Sequence, residues 1–194
     1  MEKSRQGEYF PIEEDERGAY ILNSKDLNMV RYIDKLAAAG IDSFKIEGRV
    51  KTSYYVASVV NAYRRAIDLY YKEGDKFVLP EDIYEDLEKP SHRMYCNGFY
   101  FGRDGSAQCY ETSKPKQNYD FIAIVTEEKE DGFVVEMRNR FKKGDVLEVL
   151  SPGKYHNAKI TVDKMYDESG AEITDAMNVQ QKVRIVSEIK LAAG

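Results

Sequence analysis

The sequence predicts a chain of mixed class: α/β in its first part, as partial barrel units of order βαβα, and all-β in its last, as a small barrel. Three observations predict it. Residues 18–74 alternate short apolar strands with helical periods. Residues 76–118 lose any clear period and are rich in aromatics and glycine. Residues 119–188 alternate apolar and polar side chains between regularly spaced turn signals, the mark of short strands in a barrel. The boundaries that follow are 1–75 for the barrel units, 76–118 for a connector and 119–194 for the C-terminal β-barrel.

The first strand is read at Ala19-Tyr20-Ile21-Leu22-Asn23. Ser24 stands where an N-cap would, and Asp26 falls in the first turn, where an acid suits the helix dipole. Leu27, Val30, Ile33 and Leu36-Ala37 then recur at helical spacing. Gly40 followed by Ile41 reads as a glycine just past the helix end. A second strand is read in Ser43-Phe44-Lys45-Ile46-Glu47, and a second helix is opened by Thr52 or Ser53. Its apolar stripe is Val56, Val59, Val60, Tyr63, Ile67 and Tyr70, and Gly74 ends it.

Pro80 begins a short acidic helix from Glu81 to Leu87, and Pro90 closes it. The stretch SHRMYCNGFYFGRDGSAQCYETSKPKQ is read as a connector that packs its aromatics against a neighbour. Beyond it, Phe121, Ala123 and Val125 alternate, as do Phe133, Val135 and Met137, Leu147 and Val149, and Val183 and Ile185. Turn signals fall between them at Asp131-Gly132, Lys143-Gly144-Asp145, Pro152-Gly153 and Ser169-Gly170.

Composition removes several function classes. A net charge of −5 argues against gripping nucleic acid with the whole surface, though a local basic face is compatible with it. No apolar run approaches the ~20 residues of a membrane span, and MEKSRQGEYF lacks a signal peptide's apolar core. Cys96 and Cys109 are too few for a disulfide framework, and with His92 they match no zinc spacing, so no metal site is expected. A cytoplasmic protein with no membrane partner is the expectation.

The second strand carries the functional signal. A strand buried on both faces reads as a continuous apolar run, yet here Phe44 and Ile46 alternate with Lys45 and Glu47. In a (β/α)₈ barrel one strand face meets the helices and the other the lumen, with active sites at the C-terminal strand ends. On that geometry Lys45 and Glu47 look into the lumen and Gly48 turns the chain so that Arg49 and Lys51 reach the rim. Asn23, Lys25 and Asp26 stand at the neighbouring strand end, completing a candidate pocket for a carboxylate or phosphate, or for general acid–base work. A structural ion pair, or a solvated edge strand, would produce the same pattern. Two units make about a quarter of an eight-unit barrel of roughly 250 residues, so either they pack in a smaller arrangement or the chain is part of a longer one. In MRNRFKKGD, Arg138, Arg140, Lys142 and Lys143 gather at a strand turn able to touch RNA phosphates or a substrate.

The blocks GEYFPIEEDERGAYILNSKDLNM, AGIDSFKIEGRVKTSYYVASVVNAYRRAID, GFYFG and NRFKKGDVLEVLSPG together resemble the C-terminal portion of the collagenase-like peptidase family U-32. The resemblance implies the end of a TIM-type barrel followed by an elongation-factor-type β-barrel. It divides the expected activity between a peptidase and a prephenate-dependent tRNA uridine hydroxylation factor, with this chain inactive alone. It implies as partners the missing N-terminal barrel units and a tRNA or protein substrate, and self-association through the surface they would cover. Cluster-bearing relatives hold iron and sulfur on four cysteines. One of these follows the SKDL block, where this chain has Asn28, so no cofactor is expected here.

Overall fold

The computed structural model describes residues 13–15, 18–20, 24–102 and 114–194. It divides into two compact units, one of residues 1–47 with 62–118 and the other of residues 48–61 with 119–194. The stretch read as a connector falls within the first unit, and the opening turns of the long helix group with the second. The chain is mixed helix and sheet.

The first unit opens with β1 (Glu13–Asp15) and β2 (Gly18–Tyr20), paired antiparallel. The reading of Ala19 to Asn23 as a barrel strand is corrected here: its described part is one arm of a hairpin, and residues 21–23 lie outside the described residues. Next comes β3 (Asp26–Leu27), then a 3₁₀ turn (Val30–Tyr32) that leads into α1 (Ile33–Ala38). The first helix therefore starts later than its spacing suggested. Ser24 is not its cap, because β3 intervenes and the helical turn starts only at Val30. The helix end matches the reading. Gly40 takes φ +80, the Gly40 N–H reaches the Ala37 carbonyl, and the Ile41 N–H reaches the Leu36 carbonyl, the two bonds of a Schellman cap.

Residues 41–48 have no regular secondary structure. The expected strand at 43–47 is absent, because no ladder partner lies alongside it among the described residues. Its period of two survives in burial: Phe44 and Ile46 are half-buried, while Lys45 and Glu47 are exposed.

Thr52 opens α2 (Ser53–Glu73), its hydroxyl oxygen accepting the Tyr55 N–H at 3.2 Å, as an N-cap does. The buried line runs through Ser58, Val59, Ala62 and Ala66, whereas Val56 and Val60 are exposed. The stripe is thus rotated from the one read in the sequence, toward small residues. The buried Ser58 hydroxyl is satisfied by donating to the Tyr54 carbonyl at 2.8 Å. Gly74, at φ +57, ends the helix as expected. The acidic helix α3 (Glu81–Glu88) follows Pro80, with Ile83 and Leu87 buried. Then β4 (Tyr95–Cys96) pairs in parallel with β3, Asp26 opposite Tyr95 and Leu27 opposite Cys96.

The second unit is antiparallel β. Its strands are β5 (Ala123–Lys129), β6 (Gly132–Met137), β7 (Phe141–Lys142), β8 (Val146–Glu148), β9 (Lys159–Thr161), β10 (Met165–Tyr166), β11 (Glu172–Ile173), β12 (Asp175–Ala176) and β13 (Lys182–Val186). Five form one sheet in the order β11-β10-β13-β6-β5, with β7 paired to β12 and β8 to β9. Phe133, Val135, Met137, Val183 and Ile185 are all buried, as their alternation predicted. Each such side chain contributes about 1.5–3 kcal/mol relative to exposure. The opposite face carries Val134 and Glu136 on β6 and Lys182 and Arg184 on β13, in register with one another.

Candidate functional site

Lys25 and Asp26 are both half-buried in the first unit. The Asp26 carboxylate accepts the Arg93 N–H at 2.9 Å, and the Arg93 guanidinium donates to the Ser24 hydroxyl at 2.8 Å and the Ser24 carbonyl at 3.2 Å. Asp26 is therefore first a structural acceptor that clamps β3 to the segment before β4. Asn23 lies outside the described residues. Lys45 and Glu47 stand exposed in the first unit, while Arg49, also exposed, falls in the second.

Asn28 follows β3 directly. Its N–H donates to the Cys96 carbonyl at 2.9 Å, and its side-chain oxygen accepts the Val30 N–H at 3.1 Å and the Tyr63 hydroxyl at 3.5 Å. The Tyr63 oxygen in turn accepts the Met29 N–H at 2.9 Å. The buried Asn28 Nδ2 has no acceptor among the described residues. This position does not fit a thiolate-held cluster: it supplies an amide, with no thiolate, and the amide oxygen is already taken by backbone and phenol. No group of three His, Cys, Asp or Glu able to hold a metal occurs among the described residues. Cys109 lies outside them.

The four basic residues singled out in the second unit flank and enter β7: Arg138 and Arg140 lie between β6 and β7, Lys142 is in β7, and Lys143 follows it. Arg138, Arg140, Lys142 and Lys143 are all exposed. Two are already matched: Arg138 Nη2 lies 2.7 Å from Glu136 Oε1, and Lys143 Nζ lies 4.0 Å from Glu172 Oε1. The turn from β7 to β8 is built by Gly144 at φ +91 and by the Asp145 carboxylate accepting the Lys142 N–H at 2.8 Å. This pins the backbone and leaves the cationic side chains on the surface.

Comparison with protein families settles the affiliation. The model described as peptidase family U32 matches residues 1–109, and the U32 C-terminal domain model matches residues 117–194. The chain belongs to peptidase family U32. Among curated U32-like relatives, it is 35% identical over 180 residues to tRNA hydroxylation protein P1 of Bacillus subtilis, covering 91% of this chain and 42% of that protein. It is 37% identical over 172 residues to tRNA hydroxylation protein P of Escherichia coli, covering 87% of this chain and 37% of that one. The Collagenase of Porphyromonas gingivalis is 33% identical over 92 residues, covering 47% of this chain and 22% of that protein. The chain thus spans about two-fifths of the length of the first two relatives.

Sequence reasoning missed several residues of this U32 chain. Arg93 and Tyr63 organise the β3 end, yet each lies 34 or more positions from its partners, so no local pattern announces them. Glu136 was legible in principle, standing two residues before Arg138 on the same strand face. The GFYFG block was expected to pack its aromatics away. Phe101 does meet Tyr32, but Phe99, Tyr100 and Phe101 are all exposed. No helix among the described residues is long and apolar enough to cross a membrane.

Proposed function

We propose that this chain is the C-terminal part of a tRNA-hydroxylating U32 protein. In this reading its first part supplies wall units of a TIM-type barrel. Residues 119–194 form a small elongation-factor-type β-barrel that brings tRNA to that wall. The observation that carries the reading is the extent of the match: 91% of the chain aligns with a relative named for tRNA hydroxylation, against 47% for the one named Collagenase. Lys25 and Lys45 would bind anionic groups of the substrate, and Glu47 would take or give a proton. Asp26 would complete this set. The remaining barrel units of a longer protein are the implied partner, the cytoplasm is the implied place, and the chain alone is expected to show no turnover.

Arg140 and Lys142 support RNA contact best, since Arg138 and Lys143 each have a carboxylate close by. Titration with bulk tRNA at two salt concentrations tests this. The expected result is binding that weakens steeply with salt and is reduced by Arg140→Ala with Lys142→Ala, with a shallower salt slope. No binding at low salt removes the reading. The match to a Collagenase keeps one competitor alive, a peptidase. Turnover of a gelatin substrate by the 194-residue chain would establish it.

A further inference from the structure

Residues 97–101 read Asn-Gly-Phe-Tyr-Phe and fold as two overlapping turns. The Tyr100 N–H reaches the Asn97 carbonyl at 3.4 Å, and the Gly102 N–H reaches the Phe99 carbonyl at 3.3 Å. Gly98 at φ +60 and Gly102 at φ +108 bracket them, in a region that glycine enters without a steric penalty. Three consecutive aromatic side chains are thereby carried on a tight, fixed backbone. Phe99 is 70% exposed, Tyr100 60% and Phe101 51%. Phe101 is held from one side, with the Tyr32 ring 4.5 Å away centre to centre. The exposed Lys35 places its ammonium 5.0 Å from the Phe101 ring centre and 5.3 Å from that of Tyr32.

Exposed apolar residues scattered singly are ordinary, but contiguous ones mark an interaction site. Flat rings beside a fixed cation are what a single strand of nucleic acid requires: faces on which bases stack, and a charge for the phosphate between them. An ammonium held among the rings favours a polyanion over an apolar protein surface. The glycine-bracketed turns fix the backbone and the Tyr32 contact holds Phe101, so binding has less left to immobilise.

We propose that the aromatic turn at 97–101, with Tyr32 and Lys35, is a stacking site for unpaired bases of RNA. Phe99 and Tyr100 offer the stacking faces and Lys35 the phosphate contact. This rests on the reading that the chain handles tRNA, and names where unpaired nucleotides are held.

Fluorescence anisotropy of a labelled single-stranded oligoribonucleotide, and of the same sequence as a duplex, tests it with the 194-residue chain. The single strand should bind more tightly. Phe99→Ala and Tyr100→Ala should each weaken that binding roughly tenfold, by a similar factor at low and moderate salt. Phe99→Tyr should retain it, and the thermal midpoint should stay put because the rings are exposed. Equal affinity for strand and duplex, or alanine variants that bind like the parent, overturns the assignment. If Arg140→Ala with Lys142→Ala still loses tRNA in that case, the broader reading stands without this one. Failure of the parent chain to bind either RNA form removes both. A change of oligomeric state in Phe99→Ala with RNA affinity untouched makes the turn a protein contact instead.

Discussion

Arg65 on α2 and Asp86 on α3 meet at 2.6 Å, with the Asp86 side chain only 3% exposed. Asp86 is also reached by Lys89 Nζ at 2.6 Å, and the other arm of the Arg65 guanidinium binds Asp82. A nearly buried carboxylate is tolerated because two cations and their hydrogen bonds replace its water. The arrangement ties α3 to α2 within the first unit.

Removing one member leaves the others short of a counter-charge. Asp86→Ala is expected to lower the unfolding free energy by about 2–4 kcal/mol, less than a fully enclosed pair would lose because Arg65 keeps some solvent. Arg64→Ala breaks the Arg64–Asp68 pair, whose side chains are 57% and 65% exposed, and should cost under about 0.5 kcal/mol. Urea denaturation of both variants checks the contrast. Equal losses would mean that burial does not govern the Asp86 pair.

The cap of α2 gives a second prediction. Thr52→Ala removes the acceptor of the Tyr55 N–H and should destabilise by about 1 kcal/mol. Thr52→Ser keeps the oxygen and should restore most of it. An alanine variant with an unchanged midpoint would shift the cap to Ser53.

What the sequence made legible was local. Gly40, Gly74 and Thr52 each punctuate a helix through their own backbone or side chain, so no distant residue was needed to read them. Phe133, Val135 and Met137 gave a clean alternation because one face of their sheet is core. The misreadings were non-local. Asp26 suits a helix start as well as a strand, and its pairing with Tyr95 and its bond to Arg93, 67 positions away, decide between them. On α2 the valines outweighed Ala62 and Ala66 in the reading, although small side chains are what a close helix contact buries. The candidate pocket was drawn from one alternation, which the burial of Phe44 and Ile46 retains even without a strand. Lys45 and Glu47 are exposed, so their role rests on the function proposed for a longer protein.

Gly132 gives a third prediction. A Cβ built there would lie 2.0 Å from the Ile185 carbonyl oxygen, which is backbone and cannot turn aside. Gly132→Ala must therefore part β6 from β13 at that end of the sheet. It should cost at least about 3 kcal/mol or prevent the second unit from folding. Gly144 also has positive φ but nothing within 4 Å of the added atom, so Gly144→Ala should cost only about 1 kcal/mol from the backbone. Thermal unfolding followed by circular dichroism separates the two. Near-equal midpoints would show that the β6–β13 approach is looser than this.

The turn between β10 and β11 carries a pH prediction. Asp167 Oδ1 accepts the Ser169 hydroxyl at 2.6 Å, the Ser169 N–H at 2.9 Å and the Ala171 N–H at 3.0 Å. The Ser169 hydroxyl bond first, and the backbone N–H groups after it, hold this carboxyl below the ordinary aspartate range. A folded-state pKa below the unfolded one means that the carboxylate stabilises the turn above about pH 4. That contribution fades as pH falls through the lowered value. The side-chain carboxyl shift of Asp167, followed by NMR through the acid range, should therefore report a midpoint below that of an unfolded aspartate. Ser169→Ala should raise it, since the largest cause is gone, while the backbone bonds keep it from returning fully. A midpoint indifferent to Ser169→Ala would assign the shift to the backbone alone.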